Sequence, residues 1–143
     1  IRLSPSCGTD SMNIQVPNLL ISDDDRDLRE TLGAMFRRRG MKVTLAADGQ
    51  QTLEILEDRR PHLLLLDLNM PRRSGLDVVK TLQAESVRLP SILMSAQSDD
   101  GWVQEALDAA VFAIQCKPFS IRDIQKIVDR ALSEFHGLAA PQE

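Results

Sequence analysis

The apolar positions of this chain change period repeatedly along its length. Short apolar runs of strand length occur at Leu19-Leu20-Ile21, Val43 to Ala46, Leu63 to Leu66, Ser91 to Ser95 and Val111 to Cys116. Between and after them, apolar residues recur at helical spacing: Leu28, Leu32, Met35 and Phe36; Leu53 and Leu56; Leu76, Val79 and Leu82; Trp102 to Ala110; and Ile121, Ile124, Val128 and Leu132. The punctuation agrees. Arg37-Arg38-Arg39 fill a last helical turn, read as solvated, and Gly40 stops it. Asp48-Gly49 reads as a turn, Pro61 and Pro90 introduce strands, and Ser120 is placed as an N-cap.

Strands alternating with helices predict an α/β fold, a doubly wound five-stranded parallel sheet with right-handed crossovers. The unbroken run Leu63 to Leu66 suits a strand covered on both faces. The order of strands across the sheet is not readable from the pattern. With 143 residues, one domain is expected. Residues 1–17, rich in Ser, Pro, Gly and Asn, read as a disordered leader, residues 18–136 as the folded unit and 137–143 as a tail. Residues 1–11 read as upstream or added sequence, with Met12 a candidate initiator.

Composition narrows the function classes. The net charge of −4 argues against a general nucleic-acid footprint. No apolar stretch approaches the ~20 residues of a membrane span, and residues 1–17 lack the apolar core of a signal peptide. Aromatics make up 3% of residues, so Leu, Ile, Val, Ala and Met must build the core. Cys7 lies in a polar tail and Cys116 reads as a small buried residue of a core strand, pointing away from any pocket at the strand ends by alternation, so reduced thiols and a cytoplasmic location are expected.

Chemistry concentrates at the carboxyl ends of the strands, where open α/β sheets place their ligand sites. Asp23-Asp24-Asp25 follow the first strand, Asp67 ends the third, Ser95 the fourth, and Lys117 follows the fifth. Carboxylates held together repel and need a cation. Mg²⁺ suits such a site, because it takes one or two carboxylates, keeps waters and accepts a phosphoryl oxygen. Asp67 would be the nucleophile that forms an aspartyl phosphate, Ser95 a hydroxyl donor to the phosphoryl group, and Lys117 a neutralising cation.

The motifs in their order resemble the receiver domain of two-component response regulators, of the chemotaxis-receiver kind. They are the acidic pair after the first strand, Leu66-Asp67-Leu68-Asn69-Met70-Pro71 with Gly75 four residues past the proline, Ser95-Ala96, and Lys117-Pro118-Phe119. The resemblance covers about Asn18 to His136. It implies a flavodoxin-like (βα)5 fold with strand order 2-1-3-4-5 and a cis Lys117-Pro118 bond. It further implies Asp67 as phosphoacceptor, and Mg²⁺ held by Asp24 directly, by Asp23 through water, by Asp67 and by the Asn69 carbonyl. Ser95 and Ala96 become the switch and phosphate-binding positions with Lys117, and Asn69 and Gln97 the positions that tune hydrolysis. Ile114 stands where the family usually carries a switch-coupling Tyr or Phe, and Ala110 where it carries a Gly. Phe112 is placed on the Ile114 face by strand alternation.

The resemblance implies a phosphorylation-dependent switch, charged by a histidine kinase or histidine phosphotransfer protein. It catalyses only its own phosphoryl transfer and dephosphorylation. It binds neither nucleic acid nor membrane directly, acts as a monomer or weak dimer, and signals through an unidentified effector. The alternative is a phosphorylation-independent adaptor of the same fold. A phosphohydrolase using an aspartyl phosphate commonly needs a second Asp where this chain has Asn69, and an acidic strand edge disfavours an FMN phosphate. Other residues have plainer readings. Asp25 and Asp27 decorate a first helical turn, and His62 and His136 are surface residues. Arg72-Arg73 are surface charges or contacts for a phosphodonor. Trp102 is helix packing or a partner contact.

Overall fold

The computed structural model describes residues 16–96 and 100–138. Strands and helices alternate: β1 (Asn18–Ser22), α1 (Arg26–Arg38), β2 (Lys42–Ala46), α2 (Gly49–Asp58), β3 (Leu63–Asp67), α3 (Gly75–Ala84), β4 (Ser91–Ser95), a 3-10 turn (Asp100–Trp102), α4 (Val103–Asp108), β5 (Ala113–Cys116) and α5 (Ile121–His136). All strand pairs are parallel, in the order β2-β1-β3-β4-β5. This is the 2-1-3-4-5 order.

Local chemistry places the helix ends. The Asp25 carboxylate accepts from the Leu28 N–H and caps α1. Ser74 with Asp77, and Ser120 with Asp123, form reciprocal capping boxes at α3 and α5. Gly137, at φ 68°, closes α5 in the left-handed conformation that glycine adopts freely. The fourth helix is shorter than expected, since its first turn is 3-10 and no side chain caps it. β5 likewise begins at Ala113, two residues later than the apolar run suggested.

Strand alternation sorts the core into two layers. Leu63 and Leu65 face one side with Leu19, Ile21, Ile92 and Met94, under Leu32 and Phe36 of α1 and Ile124 and Val128 of α5. Leu64 and Leu66 face the other with Leu20 and Leu93, under Leu56 of α2, Val78 and Val79 of α3 and Ala106 of α4. β3 needs four consecutive leucines because both faces are covered, and each is fully buried, contributing about 1.5–3 kcal/mol.

Four expectations are corrected. Cys116 is exposed, because it ends an edge strand paired only with β4. Arg39 is buried rather than solvated: its guanidinium meets both oxygens of Asp129 on α5 at 3.2 Å, and Arg37 donates to the Val43 carbonyl. Phe112 lies outside β5, so alternation does not apply to it, and it packs in the α1/α5 layer while Ile114 packs in the opposite one. His62 is half-buried, its Nδ1 accepting from the Asn18 N–H at 2.9 Å. His136 is exposed, and Trp102 packs against the α2–α4 layer. Within the proposed leader and tail, the Pro17 carbonyl accepts from the Lys42 N–H and Leu138 packs on the core. Residues 1–15, which include Cys7 and Met12, lie outside the described residues.

Candidate functional site

The helices change face between β1 and β3, so the two strand ends open a crevice there. Ser22 of β1 is level with Leu66 of β3, which brings Asp23 alongside Asp67. The Lys117 N–H donates to the Ser95 carbonyl at 2.8 Å, which anchors the lysine beside the end of β4. Lys117-Pro118 is cis. The Lys117 ammonium then lies 3.2 Å from Asp23 Oδ2 and 3.2 Å from Asp67 Oδ1.

Asp23 is completely buried and held on both oxygens. Its Oδ1 accepts from the Asp25 N–H at 2.9 Å and its Oδ2 from Lys117, while its carbonyl accepts from Arg29 at 2.7 Å. Asp24 is exposed beside it. Asp23, Asp24 and Asp67 each offer a carboxylate oxygen, all within 4.8 Å of one another. Hard oxygens gathered this closely suit a divalent cation such as Mg²⁺ or Ca²⁺.

Electrostatics reflects the crowding. Burial, then repulsion from Asp23, with a smaller push from Asp24, outweighs the attraction of Lys117, and the Asp67 carboxyl is pushed up to about 6. Burial draws the Lys117 ammonium down, but attraction to Asp23 and Asp67 and hydrogen bonds to both outweigh it, so its pKa is raised. One ammonium therefore shares two anions that still repel each other, a balance that a bound cation would relieve.

Of the remaining expected residues, Ser95, Ala96 and Asn69 stand at or just past the ends of β4 and β3. Ser95 is buried at the end of β4, one residue past Met94, which pairs with Asp67. Ala96 is exposed after it, and Asn69 is exposed two residues past Asp67 in the β3–α3 loop. Ile114 is half-buried on β5. Gln97 lies outside the described residues. Gly75 is required because a Cβ there would sit 2.5 Å from the Asp67 carbonyl oxygen.

The sequence reading missed the groups around Asp48. Its side chain caps α2 through the Gln51 N–H and accepts from Arg72 at 2.8 Å. Asp48-Gly49 signalled only a turn, and nothing in the sequence linked it to Arg72.

Comparison with known proteins gives a consistent picture. The model of the response regulator receiver domain matches residues 19–129. The transcriptional regulatory protein PdtaR of Mycobacterium tuberculosis is 33% identical over 85% of this chain, which spans 60% of that relative's length. Sporulation initiation phosphotransferase F of Bacillus subtilis is 31% identical over 80% of this chain and 92% of its own. The solved receiver domain of Francisella response regulator 1452 superposes with a TM-score of 0.77, at 25% identity, over 82% of this chain and 98% of its own. The chain belongs to the response regulator receiver domain family of two-component systems.

Proposed function

We propose that this chain is a phosphorylation-dependent switch whose phosphoacceptor is Asp67. The supporting observation is the convergence of buried Asp67 with Asp23, Asp24 and Lys117 at the sheet's carboxyl edge. A histidine kinase or histidine phosphotransfer protein would supply the phosphoryl group, and the likeness to a sporulation phosphotransferase favours such a relay. An Asp67 carboxylate oxygen attacks the phosphorus of the donor phosphohistidine. The new O–P bond forms as the P–N bond breaks, and the electron pair of that bond leaves on the donor imidazole.

Asp23, Asp24, Asp67 and the Asn69 carbonyl would hold Mg²⁺, which supplies charge neutralisation for the phosphoryl oxygens when bound. Lys117 remains paired with Asp23 and neutralises a second phosphoryl oxygen. The Ser95 hydroxyl donates to a third, and Ala96 stands beside it. Asn69 and Gln97 govern how water reaches the phosphoryl group, so the protein removes its own phosphate without turning over another substrate. Residues 18–136 form the receiver unit in this reading, and its output passes to a partner protein.

Acetyl phosphate with Mg²⁺ tests the reading through intact mass. One phosphoryl group is expected on the wild-type chain and none on Asp67→Asn. No label on the wild type, or equal label on Asp67→Asn, rejects it. An adaptor that works without phosphorylation would give the first of those results.

A further inference from the structure

The N-terminus of α2 touches both walls of the crevice, and the function proposed above gives it no role. On one side it meets the β3–α3 loop. A Cβ at Gly49 would lie 2.1 Å from the Arg73 carbonyl oxygen, 2.4 Å from Arg73 Cβ and 2.6 Å from its carbonyl carbon. Those are mostly backbone atoms, so the loop itself would have to move. On the other side α2 meets the end of β1. The Thr52 hydroxyl lies 2.8 Å from the Asp48 carbonyl, to which it donates, and 2.6 Å from Ser22 Oγ. Thr52 has one hydroxyl hydrogen, so Ser22 must be the donor in that second bond. Ser22 and Thr52 are fully buried, and Ser22 immediately precedes Asp23.

The loop between these contacts carries Asn69. Its ends are held by the Gly75 N–H on the Leu68 carbonyl at 3.0 Å and by the close approach of Gly75 to Asp67. Its middle is held from α2. Arg72 adopts φ 70°, unfavourable for a residue with a Cβ, and in that conformation its guanidinium reaches Asp48 Oδ2 at 2.8 Å. That ion pair is exposed on the arginine side and adds little energy by itself, but it adds direction. A continuous set of contacts thus runs from Ser22, next to the acidic pair, through Thr52, Asp48 and Gly49 to Arg72 and Arg73.

We infer that Gly49 and Thr52 are positioning residues, which set how far the Asn69 loop stands from Asp23 and Asp24 and thereby how well the site takes a divalent cation. This rests on the Mg²⁺ site proposed above. Neither residue would touch the cation. Each touches a neighbour of a group that would: Gly49 meets Arg73 in the loop that carries Asn69, and Thr52 meets Ser22 beside Asp23. Removing contacts made directly to metal ligands commonly weakens metal sites by about 10–100-fold, which sets the scale for these indirect ones.

Calorimetric titration of the full chain with Mg²⁺, below the onset of melting, tests the inference, together with amide exchange of residues 69–74 in metal-free protein. Gly49→Ala should weaken Mg²⁺ about tenfold or more and accelerate exchange in the loop. Thr52→Val, which keeps shape and removes the hydroxyl, should weaken it several-fold, and Thr52→Ser should restore it. Val128→Ala, a core truncation under the opposite face, should lower stability and leave Mg²⁺ affinity unchanged. Wild-type affinity in a folded Gly49→Ala protein overturns the inference. If that variant does not fold, wild-type affinity in Thr52→Val does so. A wild-type chain that binds no Mg²⁺ removes the proposed site and this inference with it. A wild-type chain that binds, with all variants at its affinity, removes this inference alone.

Discussion

Asp23 and Asp67 share a single counter-ion: Lys117 Nζ stands 3.2 Å from a carboxylate oxygen of each. Asp23 has a second donor in the Asp25 N–H. For Asp67, burial and its acidic neighbours prevail, and its carboxyl titrates at about 6 instead of 3.8.

This imbalance has a sign. A folded pKa above the unfolded value contributes stability below the unfolded value, and that stability is lost as pH rises through the folded one. Asp67 should therefore destabilise the metal-free protein increasingly from about pH 4 to above 6. Asp67→Asn should gain about 1–3 kcal/mol at pH 7.5 in urea unfolding, and much less at pH 4. Mg²⁺ should shrink the difference at pH 7.5 by stabilising the wild type. A variant that gains equally at both pH values, or loses at 7.5, contradicts the assignment.

A second expectation concerns Ala110, which follows α4 at φ 61°. Its N–H accepts this geometry by donating to the Leu107 carbonyl at 3.0 Å, but its Cβ is strained there. Ala110→Gly should stabilise by about 0.5–1 kcal/mol, the relief of strain exceeding the added unfolded-state entropy. The urea midpoint should rise at constant slope; a fall would show that the Ala110 methyl group packs usefully.

Arg39 and Asp129 join α1 to α5 through a two-bond ion pair. Asp129→Asn should cost about 1–2 kcal/mol, because the largely buried guanidinium loses the Asp129 carboxylate while Asp129 itself was partly exposed. The cost should persist in salt better than that of Glu134→Gln, whose partner Arg130 is exposed. Comparing both variants by chemical unfolding at low and high salt checks the ranking, and equal salt dependence would defeat it.

Ile114 makes a prediction about switching. It packs half-buried against the α2–α4 layer and carries no ring to swing between buried and exposed positions. Phe112 cannot substitute, since it packs in the opposite layer under Arg130, 5.8 Å from its ring centroid. Amide exchange with and without beryllofluoride should change most in residues 96–101 and α4, and least in β5. Changes centred on β5 with α4 unaffected would show that Ile114 does not limit the response.

Much of this protein is decided by periodicity. Four consecutive leucines before Asp67 specify a strand covered on both sides, and the alternation of such runs with helical stripes specifies a parallel α/β sheet. The candidate site was legible in part because crossover connectivity brings every strand's carboxyl end to one edge, which puts Asp23, Asp67, Ser95 and Lys117 there; the strand order that sets β1, β3, β4 and β5 side by side was not. Capping was equally local: Ser120 acts within three residues of itself, as expected, whereas Asp25, read as an acid of the first turn, is the N-cap of α1.

Only the tertiary structure decided the rest, because it depends on which elements become neighbours. Cys116 is exposed since β5 lies at an edge, and strand position is not written in a strand's own pattern. Arg39 reads like its two arginine neighbours until α5 brings Asp129 to it. Gly49 reads as a turn glycine until the β3–α3 loop arrives against it. Hydrophobic period selects elements and faces through short-range geometry. The pairing of a buried polar or charged group is set by distances between segments that periodicity leaves free.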